Sequence, residues 1–295
     1  MGRWESSHSE CLDDSGSIGY LCELCLHGTA LKNMMKKIFF ILLLFFLPLM
    51  AQEERIISLS PALTELVFKL GKGQQLIARS EPCDYPPEVK ELPVAGRFAD
   101  PDMERILTLR PTLVITNDLI NPGVRTVMEN AKIRCVQKQC RTIEEYVEWV
   151  KLLGDVLKCP EAAKVECERV ECEAKPLPKI KRKVLWVIWD SPLMVAGAGS
   201  LADGLLQRVG VENIAGNVKI AYFKSSYDWL LEHQPDAIVW TASKRDNLKE
   251  HRFWGNLKAV KQGKVVMLPN NDLVQRPGPR ITEGYKLLAE QLRKP

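Results

Sequence analysis

Histidine is scarce in this chain. Four occur in 295 residues, and beyond residue 52 only His233 and His251 remain. Neither joins a serine and an acid such as Ser191 and Asp190 in a visible triad motif. A second cysteine pair is missing as well. Cys22-Glu-Leu-Cys25 with His27 is half of a zinc site, and His27 is not adjacent to Cys25, so haem attachment does not fit either. Charge of one sign is lacking: 41 Lys and Arg face 37 Asp and Glu, a formal net charge of +4. The basic run Lys179 to Lys183 has no interleaved aromatics and reads as a solvated linker, not a nucleic-acid patch. Long apolar runs are absent but for one, Ile38 to Met50. It falls short of the roughly 20 residues that a transmembrane helix needs.

What surrounds that run gives it a meaning. Lys36 and Lys37 precede it and the small Ala51 follows, in the order of a secretory signal. Residues 34–51 are therefore expected to direct export, with the exported chain starting near Gln52. Residues 1–33 carry no hydrophobic periodicity and are expected to be a non-native or disordered extension, translation starting at Met34 or Met35. No cysteine stands at the cleavage site, so a soluble periplasmic protein without a lipid anchor is expected. Thirty-seven basic and thirty-two acidic residues remain after cleavage, a mild excess of +5. Six cysteines remain too: Cys83, Cys135, Cys140, Cys159, Cys167 and Cys172. Cys167 and Cys172 lie five apart on a predicted helix and point in different directions. Cys83 and Cys140, both in loops of the first half, are the preferred disulfide pair; free, partly buried thiols are the alternative.

From residue 52 onward, short β-branched runs alternate with helical stretches. Strands are predicted at 56–59, 76–78, 113–115 and 134–136, and helices at 61–70, 103–109 and 124–130. Then strand signals stop. Tyr146, Val150, Leu153 and Leu157 recur on one helical face, and Pro160 starts a second helix. Alternation resumes with strands at 184–189, 237–240 and 264–268 and helices at 201–209 and 281–292. The fold class is α/β: two Rossmann-like lobes with mostly parallel sheets, residues 52–141 and 184–295, joined by a long α-helix within the helical segment 142–183.

One phrase is written twice. Residues 104–115 read ERILTLRPTLVI and residues 228–239 read DWLLEHQPDAIV. In each, an acid (Glu104, Asp228) precedes a leucine by three residues and a proline by seven, and an apolar run follows. Each acid sits near the start of a short helix, with Ser226 the predicted N-cap of the second and Asp100 or Asp102 of the first. An acid there favours the helix dipole by about 0.3–1 kcal/mol. Two matched acids could equally grip arginines of a partner.

The stretches RIISLSPALTELVFKLG, CDYPPEV, DMERILTLRPTLVI, GAGSLADGLLQRVGVENIAG, AVKQGKVVMLP and RPGPRITEG are spread along the exported chain. In them the sequence resembles the ABC-transporter solute-binding proteins of the helical-backbone class, which capture cobalamin, haem and ferric siderophores. The resemblance implies that Glu104 and Asp228 dock on arginines of a membrane permease worked by its ATPase, Asp228 standing where most relatives have Glu. It implies a monomer that carries its ligand between two lobes, with no cofactor of its own, no catalytic residue and no metal site.

Among its members the chain is most similar to the cobalamin binders. Phe98 falls where these have a cleft tryptophan, and Tyr222 at another aromatic position. Asp272-Leu273-Val274-Gln275-Arg276 falls on the segment that contacts the corrin, and Asp84 in a loop facing the cleft. Pro82 and Asn117 stand where the family has Tyr and Trp, and Trp189 is the ring that could replace them. Trp186, Trp240 and Trp254 read as core. Haem would need Tyr222 or Tyr85 as an axial ligand, and an anionic siderophore would call on Arg79, Arg97 and Arg276. An enzyme is the rival class. Gly197-Ala-Gly199-Ser200 is similar to a dinucleotide loop, with Ala202 at the third glycine, but the family implies a plain tight turn.

Overall fold

The computed structural model describes residues 53–97, 99–242 and 247–294. The expected extension and signal, the Cys22/Cys25 pair and Phe98 lie outside the described residues. The first part of the chain supplies β1 (Ile56–Ser58), α1 (Pro61–Lys69), β2 (Leu76–Arg79), the two-residue strands β3 (Gly96–Arg97) and β4 (Asp100–Pro101), α2 (Met103–Leu109), β5 (Leu113–Thr116), α3 (Pro122–Asn130) and β6 (Arg134–Gln137). Four strands pair in the order β2-β1-β5-β6, all parallel. Such sheets are covered on both faces, and β5 is buried along its length.

Two helices of 14 residues follow, α4 (Ile143–Val156) and α5 (Pro160–Glu173). Each spans about 21 Å at 1.5 Å per residue. Lys158, at φ +54°, and Pro160 at the first turn of α5 break the chain between them. Gly154 lets them close: a Cβ there would lie 2.4 Å from that of Ala163. Tyr146 donates to the buried Glu166 at 2.7 Å, and Arg169 binds Glu166 while also donating to Thr282 and the Pro279 carbonyl. The connection between the sheets is thus a packed pair of helices and a coil in place of the one long α-helix expected, because Lys158 and Pro160 interrupt the helix.

The remainder supplies β7 (Lys183–Trp189), β8 (Met194–Ala196), α6 (Leu201–Val209), β9 (Glu212–Asn213), β10 (Tyr222–Lys224), α7 (Tyr227–His233), β11 (Ala237–Trp240), α8 (Lys258–Lys261), β12 (Val265–Val266), α9 (Asp272–Gln275) and α10 (Ile281–Leu292). The sheet runs β10-β8-β7-β11-β12, with β9 also on β7. β7, β11 and β12 are parallel, and β8 and β10 form an antiparallel edge.

Alternate strand residues feed different cores, as the period of two requires. Ile56 and Leu113 join Trp149 and Leu153 of α4, Val184 and Trp186 of β7, and Leu288 of α10 in one continuous core. Ile57 and Val114 face an outer core with Met128. Leu185 and Val187 face another with Trp240 and Trp254. The central core passes through α4 and α5 into both sheets, so the lobes share apolar packing as well as a chain connection.

The preferred disulfide does not form. The Cys83 sulfur lies among the Ser80 and Thr64 hydroxyls, and that of Cys140 faces the carbonyls of Thr142 and Pro277. Burial pushes the Cys83 thiol up and that of Cys140 up to about 12.

Candidate functional site: an interlobe cleft

β1, β5 and β6 run parallel, so their carboxyl ends open on one edge, where open α/β sheets place ligands. The chain leaving them supplies Ser60, Asn117, Asp118, Leu119, Gln139, Cys140 and Arg141 to a cleft of about 630 Å³. The opposite wall comes from Leu201, Tyr222, Asp272, Gln275, Arg276 and Pro277. The volume is that of a small-molecule pocket.

The residues expected to bind ligand divide. Tyr222, the first residue of β10, lines the cleft and is 45% exposed. Partial burial raises its phenol pKa, against the charge of nearby Arg141. In the 272–276 segment, Asp272, Gln275 and Arg276 line the cleft, whereas Leu273 and Val274 are 7% and 2% exposed and face the core. The reason is helical: positions i, i+3 and i+4 share a face, and i+1 and i+2 do not. Leu273 and Val274 are therefore corrected to core residues. Trp189 is corrected too. It lies at the exposed end of β7, outside the cleft lining, where its indole N–H donates to the Ser191 carbonyl at 2.9 Å.

Asp84 has a different role. Its carboxylate accepts from Arg276 at 2.6 Å, across the interlobe boundary. That hydrogen bond holds the Asp84 carboxyl below the usual range, against partial desolvation. Arg276 also lies 3.2 Å from Asp272 and 3.6 Å from Glu65. Glu65, on α1, is 4% exposed and accepts two hydrogen bonds from Arg280, at 2.6 and 2.8 Å. The Arg280 guanidinium stacks 4.1 Å over Tyr85. Two arginines of the second lobe thus clasp one buried acid of the first. Arg79 is engaged as well, by three backbone carbonyls. Neither it nor Arg276 is a free cation for an anionic ligand.

Three amide side chains, Asn117, Gln139 and Gln275, line the cleft, with Asp118 beside them. The backbone of Asp118 is held on both sides: its N–H donates to Thr116 Oγ1 at 3.1 Å, and its carbonyl accepts from Gln137 at 2.9 Å. Among the described residues its carboxylate has no hydrogen-bond or ion-pair partner, and burial raises its pKa. Asp118, Gln139 and Arg141 were not foreseen as site residues. Their signal was their place just past the ends of parallel strands.

The duplicated phrase folds the same way twice. Asp102 caps α2 through the Arg105 N–H at 3.0 Å, and Ser226 caps α7 through the Trp229 N–H at 3.1 Å. Glu104 and Asp228 are each the second residue of their helix and exposed. Each helix ends on a left-handed residue, Arg110 or Gln234, before its proline. β5 and β11 follow, each beside the leading strand of its sheet. Leu107 and Leu231, one turn past each acid, are exposed by 39% and 41%.

The Gly197–Ser200 loop is a turn. Ser200 caps α6 by accepting from the Asp203 N–H at 3.1 Å, and the Asp203 carboxylate accepts from the Gly199 N–H at 3.3 Å. An acid of the chain itself thus takes the place a phosphate would need. Asp190 accepts from the Trp254 indole at 2.9 Å, inside a buried aromatic cluster. Among the described residues no group of three His, Cys, Asp or Glu side chains could hold a metal ion.

Comparison with known proteins agrees with this geometry. The family described as "Periplasmic binding protein" matches residues 56–271. The vitamin B12-binding protein of Salmonella typhimurium is 28% identical over 254 residues, covering 81% of this chain and 90% of that one. The periplasmic vitamin B12 binding protein BtuF of Vibrio cholerae superposes with a TM-score of 0.71 at 25% identity, over 81% of this chain and 96% of that one. A periplasmic heme binding protein from Pseudomonas aeruginosa superposes at 0.69, also at 25% identity, over 81% and 92%.

Proposed function

The chain belongs to the periplasmic binding protein family and so binds a solute rather than catalysing a reaction; from that premise we propose that it captures cobalamin or a related corrinoid for an ABC importer. The observation that carries the reading is the cleft of about 630 Å³ walled by amide side chains from both lobes. A corrinoid presents a flat macrocycle rimmed by carboxamides. Asn117, Gln139 and Gln275 can each give and accept a hydrogen bond at such a rim, and Tyr222 offers a ring to its face. The names of the Salmonella and Vibrio relatives support the same ligand.

Tyr222, Asp272, Gln275 and Arg276 are the ligand contacts of this proposal. Asp84 acts through Arg276 and fixes the cleft wall. Haem is the second reading, favoured by Tyr222 as a phenolic axial ligand and by the Pseudomonas relative. The loaded protein presents Glu104 and Asp228, at equivalent places on its two lobes, to arginines of the permease. Export by residues 34–51 places it in the periplasm, where it works as a monomer.

Titration of the purified protein with cyanocobalamin, haemin and a ferric siderophore, read by tryptophan quenching, tests the ligand. Saturable quenching by cyanocobalamin is expected. A response to haemin or the siderophore alone would transfer the assignment to an iron importer.

A further inference from the structure

We infer that Asp118 forms a hydrogen-bond-acceptor subsite of the cleft: its carboxylate accepts from an N–H of the captured ligand and selects neutral or cationic metal chelates over anionic ones. For the ligand's class the inference rests on the corrinoid reading.

Asp118 lines the cleft just past the end of β5, and Thr116 and Gln137 hold its backbone in place. It is only partly exposed, and among the described residues its carboxylate has no partner. Its oxygens are not sealed from water, but they are partly desolvated and bind no protein group among the described residues. They are therefore open to a group of the ligand that displaces water from the cleft. The partner must donate a hydrogen bond, because an ionised carboxylate only accepts.

The other ionisable groups on the cleft walls sharpen the selection. Asp272 adds a second acid, and Arg276 is engaged by Asp84, Asp272 and Glu65. Arg141 is the cleft-lining arginine that makes no ion pair among the described residues. Asp272 is itself paired with Arg276, so an anionic chelate such as haem, with two propionates, would meet the unpaired Asp118 carboxylate with Arg141 as the one unpaired cation of the cleft lining among the described residues. A carboxamide meets no such repulsion. Its N–H groups suit Asp118, and its carbonyl suits the neighbouring Asn117 or Gln139. Burial raises the Asp118 pKa, so its protonation as the pH falls would remove the charge that strengthens this hydrogen bond and weaken binding.

The test is calorimetric titration of the wild-type protein, Asp118→Asn and Asp118→Ala with three probes. They are cyanocobalamin, haemin, and ferrioxamine B, a cationic ferric chelate with a free ammonium group. Cyanocobalamin is expected to bind the wild type and to bind both variants about tenfold more weakly or worse, the usual worth of a hydrogen bond to a charged group. Haemin is expected to gain affinity in Asp118→Asn. Thermal unfolding without ligand separates a binding role from a structural one. A carboxylate that holds the fold would lower Tm when removed, whereas a ligand subsite leaves Tm unchanged or raises it. Equal cyanocobalamin affinity in all three proteins would overturn the subsite and leave the corrinoid reading standing. Asp118-dependent binding of ferrioxamine B, without binding of cyanocobalamin, would keep the subsite and overturn the corrinoid. Binding of haemin alone, not improved in Asp118→Asn, would overturn both.

Discussion

Removing the Glu65 carboxylate probes how the two lobes are fastened. In Glu65→Ala, Arg280 loses hydrogen bonds of 2.6 and 2.8 Å and Arg276 an acid at 3.6 Å. The arginine side chains are only 16% and 17% exposed, so water recovers little of the loss. Breaking a buried ion pair from one side costs about 3–5 kcal/mol. Two compensations push the figure down. Arg276 keeps Asp84 and Asp272, and Arg280 keeps the Tyr85 ring, a contact of about 0.5–2 kcal/mol. The expected loss is therefore about 3 kcal/mol. For a folded unit of this size that lowers Tm by roughly 6–12 °C. Asp84→Ala is the control. Its carboxylate is 46% exposed, and exposed pairs contribute at most about 1 kcal/mol. Urea unfolding followed by tryptophan fluorescence gives both values from the shift in midpoint. Equal losses for the two variants would refute the claim that burial gives the Glu65 clasp its strength.

Three more outcomes are expected. Glu104→Lys with Asp228→Lys should abolish ligand uptake through the permease while leaving ligand affinity within about twofold, since both acids are exposed and make no ion pair among the described residues; uptake at the wild-type rate would exclude docking through these acids. The Asp84 carboxyl is depressed below 3.8 by its hydrogen bond to Arg276, so the stability it contributes is full above the unfolded value and is lost as pH falls through the folded one. The urea midpoints of wild type and Asp84→Asn should accordingly differ at pH 6 and converge in strong acid. Cys172 is exposed and should react with a thiol reagent in the native protein, whereas Cys140, pushed up to about 12, should react only in denaturant; a Cys140 that stays unreactive in denaturant without reductant would signal a disulfide after all.

Elements with strong local signals could be read from the chain alone. The helices Met103–Leu109, Leu201–Val209 and Ile281–Leu292 have the predicted bounds. Side-chain caps at Asp102 and Ser200 and apolar periodicity mark the first two. Strands β8 and β10 went unforeseen, because each has three residues and depends on antiparallel pairing on the β7 edge. Their antiparallel pairing sets Tyr222 against the cleft, a placement that family resemblance reached and local pattern did not. Resemblance also treated 272–276 as one contact strip, but the helical turn of α9 sends its middle residues to the core. Loop position suggested Cys83 with Cys140, yet sequence separation says nothing about where sulfur atoms point. Asp118 could have been found from the strand order, since it follows the carboxyl end of a central parallel strand.

Hydrogen exchange of the protein, free and saturated with cyanocobalamin, tests most directly whether the interlobe cleft holds the ligand. Protection is predicted in three segments together: 116–119, 139–141 and 272–277. They carry the cleft wall on both lobes. Protection confined to one lobe, or found away from these segments, would contradict capture between the lobes.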